Sequence, residues 1–132
     1  DTLSTLQALQ REGYKLGIIS NAGDDDDVQT LVDRANMRTY FDVVLSSAAC
    51  GVRKPNPRIF ALALEQMRLQ ADETAMVGDT LGADILGAKN AGLYSIWLTR
   101  RADTPANREH QHTITPDAQI SALGELPALL KN

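Results

Sequence analysis

The chain has 132 residues, 43% hydrophobic and 23% charged, with a formal net charge of −4; this is ordinary globular composition at the size of one domain, able to bury a core without covalent staples. No apolar run reaches the ~18–20 residues of a membrane span, no run of Lys and Arg exceeds a pair, and the only cysteine, Cys50, leaves no intrachain disulfide. These features argue against a membrane, nucleic-acid or disulfide-scaffold protein and lead us to expect a single cytoplasmic domain over 1–132; they say nothing of oligomeric state.

In chain order, Leu3, Leu6 and Leu9 recur at a helical period up to Arg11. Tyr14 to Ser20, YKLGIIS, is short, apolar and β-branched, and reads as a buried strand. Four aspartates, Asp24 to Asp27, open a second helical pattern carried by Val28, Leu31 and Val32. Carboxylates at a helix start are favourable, so capping is preferred over a metal site for this run. Phe41 to Ser47, FDVVLSS, is a second strand. Asn56-Pro57 fits an N-cap followed by proline at the first helical position, and the helix after it buries Ile59, Phe60, Leu62, Leu64 and Met67. Thr74 to Asp79 is a third strand, Gly82 to Ala91 a helix rich in small residues, and Gly92 a helix stop. Tyr94 to Thr99 is a fourth strand, in which Trp97 packs. A polar loop spans Arg100 to about His112, a short strand covers Thr113 to Thr115, and a last helix carries Ile120, Leu123, Leu126 and Leu129. Strands alternating with helices imply an α/β fold, a Rossmann-like parallel sheet with helices on both faces in three layers. The lack of polar alternation within the strands agrees with burial on both sides.

Ligands of such sheets bind beyond the carboxyl ends of the strands. There the chain places Ser20-Asn21, then Arg53-Lys54-Pro55, then Gly78-Asp79-Thr80 with Asp84 further on. A hydroxyl, an amide, an ammonium and two carboxylates on one rim suit phosphoryl chemistry, which is mostly positioning and charge stabilisation. Ser20 is a candidate donor to phosphoryl oxygens and Lys54 a fixed positive charge. Asp79 is a hard oxygen ligand suited to Mg²⁺, and Asp84 a support for Lys54 or for a metal-bound water.

At these residues the chain resembles the haloacid dehalogenase-like (HAD) hydrolase superfamily. LGIISNAG is similar to its second motif, GVRKPNPRIF to its third and MVGDTLGADILGAKNAG to its fourth, in family order over residues 15 to 92. The resemblance implies a Mg²⁺-dependent phosphatase of small phosphorylated metabolites working through an aspartyl-phosphate. It gives Ser20 and Asn21 to the phosphoryl group, Lys54 to neutralising nucleophile and phosphoryl charge, Asp79 to the metal and Asp84 to a secondary acidic place. The family's first motif, an Asp-x-Asp on a strand central to the sheet, has no counterpart here, since Asp24 to Asp27 follow the second-motif strand. We therefore expect a partial core that lacks its central strand and helical cap and is inactive by itself.

Two other functions stay open. Metal-independent 2-haloacid dehalogenases of the same superfamily carry Ser-Ser-Asn where this chain has Val77-Gly78-Asp79, so Asp79 favours the metal enzyme. A non-catalytic interaction module is the other. A phosphoacceptor receiver domain uses the same residue types in the reverse order. The stretch Gly82 to Lys89 lacks the Lys-Ser or Lys-Thr ending of a phosphate-binding P-loop. The H-x-H spacing of His110 and His112 could grip a metal, but in a polar loop it reads as a surface pair, and Cys50 reads as a small filler.

Overall fold

The computed structural model describes residues 1–131, in which the short apolar segments become five strands: β1 (Gly17–Ser20), β2 (Val43–Ser46), β3 (Ala75–Gly78), β4 (Tyr94–Leu98) and β5 (Ala118–Ile120). The helices are α1 (Thr2–Arg11), α2 (Asp25–Arg34), α3 (Ser47–Cys50), α4 (Pro57–Met67), α5 (Leu86–Asn90), α6 (Pro105–His110) and α7 (Leu126–Leu130). Every strand pairing is parallel, with Ser20 opposite Ser46 and Gly78 opposite Trp97. The strands fall into two sheets, β1-β2 and β3-β4-β5. No helix among the described residues is long and apolar enough to cross a membrane.

Local signals set the helix starts. Asp24 caps α2 by accepting from the Asp26 N–H at 2.8 Å, and Asp25 to Asp27 fill its first turn, where the helix dipole favours anions. Asn56 caps α4 through Arg58 N–H with Pro57 at the first position. Asp25 also receives the Ser46 hydroxyl at 2.7 Å and the Gln29 amide at 3.2 Å, which hold its carboxyl below the usual range, the hydroxyl contributing most. Asp117 is held low chiefly by the backbone N–H of Ser95. A carboxylate whose pKa is lower in the folded than in the unfolded chain adds stability above its unfolded value. That stability is lost as pH falls through the folded value. Urea midpoints are therefore expected to stay flat down to about pH 5 and to drop below it. By carboxyl-carbon NMR, Ser46→Ala should raise the Asp25 pKa; an unmoved titration would refute the assignment.

Side chains alternate between two faces, as strand geometry requires. Met76 packs with Leu45, Phe60 and Ala88 under α4 and α5, whereas Ala75, Val77, Ile96 and Leu98 pack with Leu9 and Leu126 of α1 and α7. Helices thus cover both faces. Ile59 and Phe60 are completely buried, worth about 1.5–3 kcal/mol each. Gly87 lets α5 approach α4, since a Cβ there would come within 2.6 Å of the Phe60 ring.

The inner edges of β1 and β3 remain unpaired: among the described residues β1 has only β2 beside it and β3 only β4. Between them runs a cleft of about 1180 Å³ lined by every residue of both strands. Leu9, Leu126 and Leu130 wall it on one side and Phe60, Ala63 and Leu64 on the other. The two helix layers therefore frame a slot bounded by exposed N–H and C=O groups, a template for strand addition. This is the position expected to lack a central strand.

Several expected elements shift. The first strand starts at Gly17 rather than Tyr14, and a short helix, α3, follows β2 directly. The region read as a polar loop contains α6 and a 3₁₀ turn at Thr99–Arg101. No strand forms at Thr113 to Thr115: the Ile114 N–H bonds to the His110 carbonyl and its side chain packs with Trp97. The fifth strand takes Ile120 instead, so the last helix is confined to Leu126–Leu130 after a 3₁₀ turn at Leu123–Glu125. Parallel pairing to β4 decided this, and it leaves no mark in local periodicity. Gly82 to Ala91 is also not uniformly α-helical, because Leu81–Ile85 forms a π-helical turn before α5.

Candidate active site

Ser20, Asn21, Arg53, Lys54, Asp79 and Asp84 all line the upper part of the one cleft. Lys54 is the residue that joins its two sides. Its Nζ donates to the Ile19 carbonyl on β1 at 2.9 Å and to Asp84 Oδ1 at 2.6 Å beyond β3. The pair is largely buried, with side-chain exposures of 10% and 8%. Asn21 fixes the Lys54 backbone from both ends, accepting its N–H at 2.8 Å and donating to its carbonyl at 3.0 Å. The lysine loop is thereby clamped to the end of β1.

Asp84 reaches this position because of the π-turn, which adds a residue to the turn and brings the carboxylate back over the strand end. Its Oδ2 accepts from the Thr80 N–H at 3.1 Å. Gly78 makes room, since a Cβ there would overlap the Asp84 carboxylate. The Ser20 hydroxyl has no hydrogen-bond partner among the described residues, leaving it available to a ligand in the cleft.

Asp79 lies just past β3. Its Oδ1 accepts from the Thr80 hydroxyl at 3.2 Å, and its Oδ2 faces Arg100 at 3.1 Å and Arg101 at 3.5 Å. Its carbonyl accepts from the indole N–H of Trp97 at 3.2 Å and from the amide of Asn107 at 2.8 Å. Asn107, only 2% exposed, also bonds the Arg101 carbonyl and the Leu81 N–H. Trp97 packs in the last long strand as the sequence indicated, but its link to Asp79 was not foreseen. Asn107 and Arg100 were missed altogether, because an amide bonding backbone groups across 26–28 residues has no motif.

The donor set fits Mg²⁺ in the form that ion commonly takes, one protein carboxylate completed by substrate oxygens and water. Asp79 is a partly exposed carboxylate at a cleft mouth, and two guanidiniums already crowd one of its oxygens in the manner of a cation. No group of three or more His, Cys, Asp or Glu side chains gathers among the described residues. His110 instead lies beside Gly82, and Cys50 packs against the main core with its thiol donating to the Val52 carbonyl.

A parallel α/β sheet whose loops bring a lysine, a serine and carboxylates to the strand ends defines an acid-and-cation rim of the kind used by hydrolases of anionic substrates. The chain belongs to the Haloacid dehalogenase-like hydrolase family, whose sequence profile matches residues 1–98. It is 41% identical over 129 residues to the pyrimidine 5'-nucleotidase YjjG of Escherichia coli, covering 97% of this chain and 54% of that protein. The crystal structure of a HAD phosphatase from Thermococcus onnurineus superposes with a TM-score of 0.84 at 34% identity, over 98% of this chain and 56% of that one. A 2-haloacid dehalogenase from Pseudomonas syringae superposes at 0.78 with 32% identity, over 97% and 50%. The chain spans about half the length of the curated relatives it matches.

Proposed function

We propose that this chain is the partial catalytic core of a Mg²⁺-dependent phosphatase of small phosphorylated metabolites, working through an aspartyl-phosphate. The observation that carries the reading is the buried Lys54–Asp84 pair at the head of the cleft, beside Ser20 and Asp79. Lys54 places a positive charge against the end of β1, where attacking carboxylate and phosphoryl group would meet. Ser20 donates its free hydroxyl to a phosphoryl oxygen, and Asn21 holds the lysine loop at the right height. Asp84 holds Lys54 in its aim rather than touching substrate. Asp79 would hold Mg²⁺, which supplies charge neutralisation for the phosphoryl oxygens. The nucleophile belongs on an extended segment in the cleft between β1 and β3, and the 132 residues by themselves are expected to show no turnover.

Phosphatase relatives support the reading, while dehalogenase neighbours keep a metal-independent alternative in view. Asp79 with its hard oxygens favours the phosphatase. The test is hydrolysis of a generic aryl phosphate by the full-length protein with and without EDTA. Activity is expected to vanish in chelator and return with Mg²⁺; full turnover in EDTA would overturn the magnesium reading.

A further inference from the structure

One oxygen of the Asp79 carboxylate is taken by two arginines. Arg100 places both its Nε and Nη2 at 3.1 Å from Oδ2, and Arg101 Nε stands at 3.5 Å from the same atom. One oxygen thus carries two cations, while Oδ1 has only the Thr80 hydroxyl. The crowding follows from the backbone, because Asn107 ties the Asp79 carbonyl and the Arg101 carbonyl to a single amide nitrogen, at 2.8 and 2.7 Å. The loop after β4 is thereby fixed beside the loop after β3, which brings its two arginines within reach of Asp79.

We propose that Arg100 and Arg101 form a latch on Asp79 that competes with a divalent cation for that carboxylate, and that Arg100, once displaced, serves anionic substrate in the same cleft. The inference rests on the assignment of Asp79 to Mg²⁺. A magnesium ion about 2.1 Å from Oδ2 would have to expel at least one guanidinium, and one on Oδ1 would stand against both positive charges across the same carboxylate. Both arginines are free to leave, being 60% and 65% exposed at the side chain, whereas Asp79 is 18% exposed and held. Arg100 lines the cleft with Ser20 and Lys54, so its charge, once released, faces an incoming phosphoryl group. Lys54 is already in place, paired with Asp84, so Arg100 would add a second positive charge to the same cleft. Cation and anion should therefore bind with mutual reinforcement, each raising the affinity for the other by one and the same factor.

The experiment is calorimetric titration of Mg²⁺ into the full-length protein and its Arg100→Ala/Arg101→Ala variant, with and without inorganic phosphate. Trp97 fluorescence gives a second readout, because its indole N–H rests on the Asp79 carbonyl. Without phosphate the variant is expected to bind Mg²⁺ roughly three- to tenfold more tightly, the range for losing two exposed competing ion pairs. Phosphate should tighten Mg²⁺ binding more in the native protein than in the variant. Equal or weaker Mg²⁺ binding by a folded variant overturns the latch and leaves the magnesium reading intact. Failure of both proteins to bind Mg²⁺ overturns the two together. The Arg100→Lys/Arg101→Lys variant should fall between, since an ammonium keeps the charge but loses the fork of donors.

Discussion

Replacing Asp84 by alanine is expected to destabilise the protein by about 3–5 kcal/mol, the range for removing one partner of a buried ion pair. The Lys54 ammonium would keep only the Ile19 carbonyl, and the Thr80 N–H would lose its acceptor. The charge could not reach water cheaply, because its side chain is 10% exposed and its backbone is clamped at both ends by Asn21. The double variant Lys54→Met/Asp84→Asn removes the stranded charge and should cost less than Asp84→Ala alone. Urea unfolding of Asp84→Asn, Lys54→Met and their double variant beside the native protein gives the coupling energy through a double-mutant cycle. Additive losses would show that the pair does not bridge the two halves of the molecule. The point matters for function because the same pair aims the one lysine of the site. Asp84→Ala should therefore also lower turnover in the full-length protein beyond what its unfolded fraction explains.

What could be read from the sequence was whatever local chemistry dictates. Asp24 and Asn56 announced their helices because a capping side chain acts within three residues. Ser20, Lys54 and Asp79 announced themselves because topology sends all parallel strands' carboxyl ends to one rim, and all three line a single cleft. Asp84 was read as a support for Lys54 or for a metal-bound water, one turn along an ordinary helix; it meets Lys54 through a π-turn instead. The failures share a cause. β5 was misplaced because Ile120 finds its pairing partner, Leu98, 22 residues away, and its apolar neighbours fit a helix equally well. Arg100, Arg101 and Asn107 lie in a stretch with no periodicity, and their importance arises only once β4 delivers that stretch against Asp79.

Asn107 therefore supplies the second large expected effect, and one that separates a filler from a positioning residue. Asn107→Ala should cost about 2–3 kcal/mol, mainly because the buried Leu81 N–H is left without an acceptor. The Asp79 and Arg101 carbonyls each keep another donor, from Trp97 and from Thr104. Beyond stability, freeing the loop after β4 should relax the two arginines from Asp79 and move Mg²⁺ affinity in the direction expected of the Arg100→Ala/Arg101→Ala variant, upward. Asn107→Asp keeps the volume and the acceptor for Leu81 but turns a donor toward two carbonyl oxygens into a buried carboxylate. If donation is what holds the two loops together, the aspartate variant must be at least as damaging as alanine near neutral pH. It should recover partly in acid, where a protonated carboxyl regains one donor. Mg²⁺ titrations and urea melts of both variants between pH 5 and 7 decide the matter. An aspartate variant that matches the native protein at pH 7 would reduce Asn107 to packing.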